Sequence, residues 1–334
     1  MPPLNAIETL LLAVILAFFA TFLTAPPVIS LLRRKKLGQQ IREDGPQRHL
    51  TKAGTPTMGG VIIMGGVILG TVVSWVFAPA QFRCGALLLG LTVFVAAIGS
   101  IDDWGKIRRG RSLGLRAREK LILQFLAAGL FVAGLLYLCH NGTTIGMPFV
   151  GSVNLGWAYW PVAMLFIAAM SNAVNLTDGL DGLATGTTVA ATAALAILAW
   201  GAHDTLANGP AVATILACLG AACLAFLWYN RHPAKIFMGD TGSLAIGAAL
   251  AGAALMLKQE LALLIIGLVF IIEMGSVIIQ VISFKTTGKR VFRMSPFHHH
   301  LELGGWSEPA IVTRAWLLGA VLALGGCWLF HTLH

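Results

Sequence analysis

The stretch that decides the fold is GALLLGLTVFVAAIGSIDDWGK, residues 85–106. Residues 85–101 carry no charge, and two aspartates follow them directly. A helix needs about 20 mostly apolar residues, with about 17 as the lower limit, to cross the hydrocarbon core of a bilayer. The stretch therefore predicts a membrane-spanning helix that ends at a pair of carboxylates, Asp102 and Asp103.

Similar apolar stretches fill most of the chain. Its 334 residues are 57% hydrophobic and only 11% charged, whereas a soluble globular protein carries about 25% charged residues. We therefore predict an all-α polytopic membrane protein, with residues 1–334 forming a single integral membrane domain. The ten predicted transmembrane helices are 7–32, 58–77, 85–101, 121–139, 158–175, 183–200, 211–229, 241–257, 261–284 and 310–331.

Alternating loops carry nearly all of the basic residues. Of the 23 Lys and Arg residues, 21 lie in one set of alternating loops or, for Arg314, just inside the last span, and only Arg83 and Lys258 lie on the other side. Cytoplasmic loops of membrane proteins carry an excess of Lys and Arg, so the pattern predicts an even number of spans with both termini periplasmic. The predicted cytoplasmic loops are 33–57, 102–120, 176–182, 230–240 and 285–309, with Arg314 just inside the last span.

The flanks of the spans limit the interpretation further. A net charge of +9 would favour nucleic-acid binding in a soluble protein, but here the loop bias explains it, and no nucleic-acid partner is predicted. No basic segment precedes the first span, which argues against a cleaved signal peptide. The polar, Gly-rich segment 140–157 predicts a short hairpin on the periplasmic surface.

The five cysteines lie in or at the ends of apolar segments and form no CxxC pair. Cysteine is often a small buried hydrophobic residue. We therefore predict packing roles for all five, rather than metal binding or disulfides: Cys84, Cys139, Cys218, Cys223 and Cys327.

Five aspartates in short motifs between apolar stretches are the anomaly of this chain, and all five fall on the predicted cytoplasmic side: Asp102, Asp103, Asp178, Asp181 and Asp240. Carboxylates near bilayer depth are costly and usually line a site or a pathway. Adjacent carboxylates such as Asp102 and Asp103 repel each other unless a cation or proton lies between them, and Mg²⁺ binds one or two carboxylates together with substrate phosphates. The alternative is a helix end whose charges are merely solvated.

Two Gly-rich motifs carry the other three aspartates. In NLTDGLDGLATG, residues 175–186, Asp178 and Asp181 share one face if the stretch is helical. A capped turn would explain one aspartate but not both, so we predict contact with a polar substrate. In FMGDTGSL, residues 237–244, Asp240 stands where a helix begins. Such a start suits a phosphate or a metal–phosphate, although an ordinary helix cap would use the same residues.

Three further features complete the set. In TKAGTPTMGG, residues 51–60, Lys52 can bind phosphate, although positive-inside bias alone would also place a lysine here. In PFHHHLELGGW, residues 296–306, neighbouring histidines on a helix point about 100° apart, which favours phosphate or substrate contact over one shared metal ion. Glu273 lies mid-span, where a functional role and a structural hydrogen bond are equally expected.

Together these motifs resemble, in order and spacing, the signatures of the bacterial phospho-N-acetylmuramoyl-pentapeptide transferase (MraY) family. The resemblance covers the whole chain, and the HHHLELGGW stretch favours this branch over N-acetylglucosamine transferases of the same superfamily. It implies Mg²⁺-dependent transfer of phospho-MurNAc-pentapeptide from UDP-MurNAc-pentapeptide to undecaprenyl phosphate, giving lipid I and UMP. It also implies the bacterial inner membrane, an active site on the cytoplasmic face, and a homodimer as an open expectation.

The resemblance also assigns residues. It implies Asp240 and Asp103 as Mg²⁺ ligands, Asp102 as the base that deprotonates the lipid phosphate, and Phe237 stacked on uracil. Whether a carboxylate attacks the diphosphate covalently stays open, as does the basic residue that holds the lipid phosphate. The implied catalytic residues are Asp102, Asp103, Asp240 and His299. The implied substrate-binding residues are Lys52, Thr57, Lys106, Lys120, Asn175, Asp178, Asp181, Asn230, Phe237, Gly239, Ser243, Gln280, His298, His299 and His300.

Two other functions remain to be weighed. An N-acetylglucosamine-1-phosphate transferase would use the same chemistry with another donor. A transporter would place its carboxylates near the bilayer centre, often between inverted repeats. The five aspartates instead cluster at one predicted interface, and the sequence has no visible repeat.

Overall fold

A computed structural model describes residues 4–35, 52, 54–109, 114–147, 151–202, 206 and 208–331. Within this part of the chain, ten helices are long and apolar enough to cross a membrane. The all-α polytopic membrane fold is therefore confirmed. The elements are α1 (Ala6–Arg34), α2 (Gly60–Phe77), α3 (Phe82–Arg109), α4 (Ala117–Tyr137), β1 (Thr144–Met147), β2 (Gly151–Asn154), α5 (Tyr159–Thr177), α6 (Leu183–Gly201), α7 (Gly209–Asn230), α8 (Gly239–Leu257), α9 (Glu260–Ile266), α10 (Leu268–Thr287), α11 (Phe297–Leu303) and α12 (Glu308–His331).

Helix α8 forms the centre of the bundle. Every residue from Asp240 to Leu257 is buried, and α8 packs against α2, α3, α5, α6, α7 and α9. Small residues permit these close approaches: a Cβ atom on Gly247 would lie 2.4 Å from the Met170 carbonyl oxygen of α5. The short, Gly-rich stretch predicted as 241–257 is thus the most enclosed helix of the described chain, and its first residues lie deep among its neighbours.

The prediction of one continuous span over residues 261–284 is wrong for its first residues, which form a separate short helix. The chain breaks there at Gly267 into the short helix α9 and the longer α10. Glycine weakens a helix interior, and a Cβ atom at Gly267 would lie 3.1 Å from Cε of Met170 on α5. Only α10 is long enough to cross the membrane.

The segment predicted as a hairpin contains one. Strands β1 and β2 are antiparallel, with Thr144 opposite Asn154 and Met147 opposite Gly151. Residues 148–150 lie outside the described residues, as do Thr51 and Ala53 of the TKAGTPTMGG motif and the basic residues Lys36, Arg42, Arg48 and Arg111.

The cysteine prediction is wrong for two of the five residues. Cys84, at the start of α3, and Cys139, just beyond the end of α4, form a disulfide across 55 positions of sequence. The two residues meet because α3 and α4 are antiparallel neighbours, so the end of one helix lies beside the start of the other. The remaining three are free, with Cys218 and Cys223 buried and Cys327 partly buried.

Candidate active site

Three carboxylates converge where α3 approaches the start of α8. Asp102, Asp103 and Asp240 each offer an oxygen atom within 4.8 Å of the others. All three residues are buried. Helix α3 continues to Arg109 rather than ending at residue 101, so the aspartate pair lies inside the helix and Lys106 follows Asp102 by one turn.

Asp103 caps α8 from a different helix. Its Oδ1 atom accepts the Asp240 N–H at 3.1 Å, and its Oδ2 atom accepts the Thr241 N–H at 3.0 Å and the Thr241 hydroxyl at 2.8 Å. The first N–H groups of a helix have no partner within it, and an anion there is favourable. Gly239 suits this contact, since it has φ +73° and a Cβ atom would lie 2.5 Å from Asp103 Oδ2.

Two lysines partly neutralise the cluster. Lys106 Nζ lies 2.7 Å from Asp102 Oδ2 and 3.1 Å from Asp240 Oδ1. Lys120, from the start of α4, lies 3.3 Å from Asp102 Oδ2 and also donates to Asp240 Oδ2. Asp102 Oδ1 accepts the Leu115 N–H at 2.7 Å, which ties the loop between α3 and α4 to the site.

Helix α5 adds the polar groups of the NLTDGLDG motif. Asn175 Nδ2 donates to Asp240 Oδ1 at 3.0 Å and to Ser243 Oγ at 2.8 Å. Asp178 lies in the turn after α5. Withdrawal from water raises the pKa of the Asp178 carboxyl well above its usual range, and the charges of Asp240 and Asp103 raise it further. Asp178 therefore belongs electrostatically to the same site.

Asp181 joins a second polar cluster instead. Lys52 Nζ lies 2.7 Å from Asp181 Oδ1 and 2.6 Å from Glu308 Oε1, and Glu308 Oε1 also accepts the Asp181 N–H at 2.7 Å. His232 Nδ1 is 3.2 Å from Asp181 Oδ2 and 3.4 Å from Glu308 Oε2. A cavity of about 180 Å³ opens beside this cluster, lined by Asp181, Arg231, His232, Pro309, Val312, Thr313 and Trp316.

Sequence reasoning missed Glu308 and His232. The available signals were weak: Glu308 stands in the first turn of the last span, where acidic residues are common, and His232 follows Asn230 in a basic loop. Neither belongs to a motif that was singled out, and only the packing of α12 against α6 brings Glu308 to Asp181.

Residues 56–60 and 237–238 pair through their backbones. Phe237 N–H donates to the Pro56 carbonyl at 2.8 Å, and Gly59 N–H donates to the Phe237 carbonyl at 2.9 Å. This pairing places Thr57 beside Gly239. The predicted nucleotide residue Asn230 is buried, and its amide accepts the Thr185 hydroxyl and donates to the Ile236 carbonyl.

The three consecutive histidines lie on the short helix α11 and diverge. His298 Nδ1 is 3.0 Å from Glu273 Oε2, His299 Nδ1 is 2.7 Å from Glu302 Oε2, and His300 Nδ1 accepts the Arg293 N–H at 3.1 Å. Among the described residues, two groups of side chains could hold a metal ion, and neither includes these histidines: Asp102, Asp103 and Asp240, and Asp181, His232 and Glu308. Gln280 accepts the Val291 and Phe292 N–H groups and donates to the Phe292 carbonyl, so its amide holds the chain that leads to α11.

A divalent cation fits the Asp102–Asp103–Asp240 cluster by donor type. Carboxylate oxygens are the ligands that Mg²⁺ prefers, and the buried triad is a concentration of negative charge that two lysines already partly neutralise. Each of the three aspartates offers an oxygen atom that could contribute to holding such an ion.

The sequence model of "Glycosyl transferase family 4" matches residues 85–258, which run from the start of α3 to the end of α8. The chain is thus a membrane transferase of that class, and its ten-span bundle carries the carboxylate–lysine site at the start of α8.

A shorter stretch of the chain matches the signature of one particular family. "Phospho-N-acetylmuramoyl-pentapeptide-transferase signature 1" matches residues 52–63. Curated relatives with the name phospho-N-acetylmuramoyl-pentapeptide-transferase include those of Halalkalibacterium halodurans, 48% identical over 95% of this chain and 96% of the relative, and Bacillus velezensis, 46% identical over 96% and 98%. That of Moorella thermoacetica is 48% identical over 94% and 96%. The chain belongs to the phospho-N-acetylmuramoyl-pentapeptide-transferase family.

Proposed function

We propose that this protein transfers phospho-MurNAc-pentapeptide from UDP-MurNAc-pentapeptide to undecaprenyl phosphate. An oxygen of the lipid phosphate would bond to the sugar-linked phosphorus while the bond from that phosphorus to UMP breaks, giving lipid I. The observation that carries the proposal is the convergence of Asp102, Asp103, Asp240, Lys106 and Lys120 from three separate helices. Phosphoryl transfer depends on positioning and charge stabilisation, which this cluster supplies.

Each member of the cluster receives a role from its contacts. Asp102 lies against both lysines and is the proposed acceptor of the lipid phosphate proton. Lys106 and Lys120 are the proposed partners of the phosphates, because each ammonium group already bridges two carboxylates and could exchange one of them for a phosphate oxygen. Asn175 fixes the rotamer of Asp240.

The proposed cofactor is Mg²⁺, held by Asp103 and Asp240. When bound, it would neutralise charge that develops on the diphosphate. Asp103 is suited to this role because its three hydrogen bonds from the start of α8 leave it little rotamer freedom. The same bonds fix the distance between Asp103 and the helix that carries Asp240.

The remaining predicted residues are proposed to surround the bound donor and acceptor substrates. Lys52, Asp181, Asn230, Phe237 and the turn at Asp178 are proposed for the nucleotide end. Thr57, Gly239 and Ser243 support the start of α8. Gln280 and His298 to His300 are proposed for the sugar-phosphate side. His299 keeps its proposed catalytic role, supported by its contact with Glu302.

We further propose one domain over residues 1–334 in the inner membrane, with the site on the cytoplasmic face and both termini periplasmic. The Lys and Arg bias of the loops supports this orientation. A homodimer is proposed from the family resemblance, and native mass spectrometry from lipid nanodiscs tests it: a single-copy mass alone would contradict it.

The deciding experiment measures UMP release by purified protein in undecaprenyl phosphate micelles. UDP-MurNAc-pentapeptide and UDP-GlcNAc are compared as donors, each with Mg²⁺ and with EDTA. We expect release with the first donor and Mg²⁺ only. Release with UDP-GlcNAc but not with the muramoyl-pentapeptide donor would overturn the proposed function, and full release in EDTA would remove the metal from it.

A further inference from the structure

The buried carboxylate of Glu273 lies in the second turn of α10 and is not part of the carboxylate triad. Its Oε2 atom lies 3.0 Å from His298 Nδ1 and accepts the His298 backbone N–H at 3.2 Å. Both residues are buried. A single carboxylate oxygen therefore fixes both the backbone and the ring of the first residue in the histidine run.

This pairing decides which ring edge His298 presents. A carboxylate oxygen accepts hydrogen bonds, so Nδ1 carries a hydrogen, and in the neutral imidazole Nε2 then has the free lone pair. The Nε2 atom is buried and has no hydrogen-bond partner among the described residues. Buried polar atoms without partners are rare in folded proteins, and each calls for an explanation.

The Nε2 edge of the His298 ring lies against the turn at Gly179. A Cβ atom placed on Gly179 would lie only 2.3 Å from His298 Nε2. Gly179 itself is exposed on its other side, and it connects Asp178, beside the carboxylate triad, to Asp181 beside Lys52. The imidazole thus supports the one turn of chain that links the two polar clusters.

We propose that Glu273 is a positioning residue of the donor site, acting through His298 on the turn at Gly179. The turn would then offer Asp178 and Asp181 to the nucleotide–sugar donor at a fixed spacing. The unpartnered Nε2 would gain its partner when the donor binds, from a hydrogen-donating hydroxyl or amide group of the sugar-peptide portion. This inference rests on the proposed transferase function.

A double-mutant cycle tests whether Glu273 acts through His298. Glu273→Ala is expected to raise the KM for the UDP-linked donor about tenfold, with the KM for undecaprenyl phosphate unchanged. His298→Ala should do the same. If Glu273 works only through the ring, the double variant is no worse than His298→Ala. Fully multiplicative effects of the two changes would overturn the proposal.

Two further variants keep the test decisive. Ser276→Ala, one turn from Glu273 and also buried, removes only a hydroxyl that donates to the Glu273 carbonyl, and we expect wild-type kinetics. Glu273→Gln keeps an oxygen that can accept both N–H groups but loses the charge. It should keep the donor KM within about threefold of the wild-type value, because the amide oxygen can still hold the backbone and the ring of His298.

The outcomes separate the two proposals. If Glu273→Ala is not folded by size-exclusion chromatography, Glu273→Asp replaces it in the cycle, because the shorter side chain withdraws the oxygen from His298. It should raise the donor KM in the wild-type background and have no effect in the His298→Ala background, and an equal rise in both would overturn the positioning role. If the wild-type protein releases no UMP from the muramoyl-pentapeptide donor, the proposed function fails. If the wild type is active and the cycle is multiplicative, only the role of Glu273 fails.

Discussion

The Asp103 carboxylate on α3 accepts the backbone N–H of Asp240 at 3.1 Å, so one acidic residue of the site fixes the start of the helix that carries another. The same carboxylate binds Thr241 through its backbone and hydroxyl groups. Site geometry and helix packing therefore depend on one side chain. Asp103 is expected to contribute to stability as well as to turnover.

Replacing Asp103 separates these two contributions. Asp103→Ala removes the cap of α8 and should lower the free energy of unfolding by about 2 kcal/mol. Asp103→Asn keeps one accepting oxygen and should lose less stability while losing turnover equally. Thermal unfolding in detergent, beside UMP release, measures both. Equal Tm values for Asp103→Ala and the wild type would show that the cap is unimportant.

Asp240→Asn should abolish turnover without unfolding the protein. Asparagine has nearly the same shape but removes the charge that faces Lys106 and Lys120. We expect UMP release to fall by a factor of about 100 or more. The matched control is Thr92→Ala, a buried change on α3 that removes a hydroxyl bonded to the Leu88 carbonyl. Wild-type rates in Asp240→Asn would remove this residue from the mechanism.

Two glycines of α3 provide a test of the central packing. A Cβ atom at Gly99 would lie 2.2 Å from the Asp240 carbonyl oxygen, whereas Gly90 has nothing within 4 Å. Gly99→Ala should therefore push α3 away from α8 and lower both Tm and turnover, with a loss of about 1–3 kcal/mol. Gly90→Ala should match the wild type or be slightly more stable. Similar behaviour of the two variants would contradict the close crossing of α3 and α8.

Asp178 should make stability depend on pH. Its folded-state pKa is raised by withdrawal from water and by Asp240 and Asp103. The folded protein therefore holds this proton more tightly than the unfolded chain, and the associated stability is full below about pH 4. That stability is lost as pH rises through the raised pKa. In EDTA, Asp178→Asn should gain Tm relative to the wild type between pH 5 and pH 8. A constant Tm difference would contradict the shift.

The Cys84–Cys139 disulfide should be detectable and stabilising. Non-reducing peptide mass spectrometry should find the two cysteines cross-linked. Cys84→Ser should lower the free energy of unfolding by about 2–4 kcal/mol, because the closed loop constrains the unfolded chain. Cys218→Ala, a change of a free buried cysteine, should leave UMP release intact. Maleimide labelling of both Cys84 and Cys139 in the folded, non-reduced protein would rule out the bond.

Much of the fold was predictable because each membrane helix can be recognised from its own apolar stretch, without reference to the rest of the chain. A run such as 85–101 needs only its own composition to favour the bilayer. The break at Gly267 was not predictable, because glycine is common inside membrane helices and nothing in the surrounding apolar run marks the end of α9. The disulfide was missed for the same reason: no local pattern marks two cysteines 55 positions apart whose helices are neighbours.

The site was predictable in residue type but not in arrangement. Charge cost alone singled out the five aspartates, and the packing brings Asp102, Asp103 and Asp240 together. Asp181 lies instead with Lys52, Glu308 and His232. The sequence also left Glu273 between a functional role and a structural hydrogen bond, and its contacts with His298 are the basis of the positioning role proposed above.

The sequence by itself determined that this chain spans a membrane, which residues are too polar for lipid, and which family its motifs belong to. These properties depend on composition and short-range order, which act independently of the rest of the chain. Only the tertiary structure decided which polar groups meet. Contacts such as that of Lys120 with Asp240, 120 positions apart, depend on how small residues let α8 pack among its neighbours, and that packing is a property of the whole bundle.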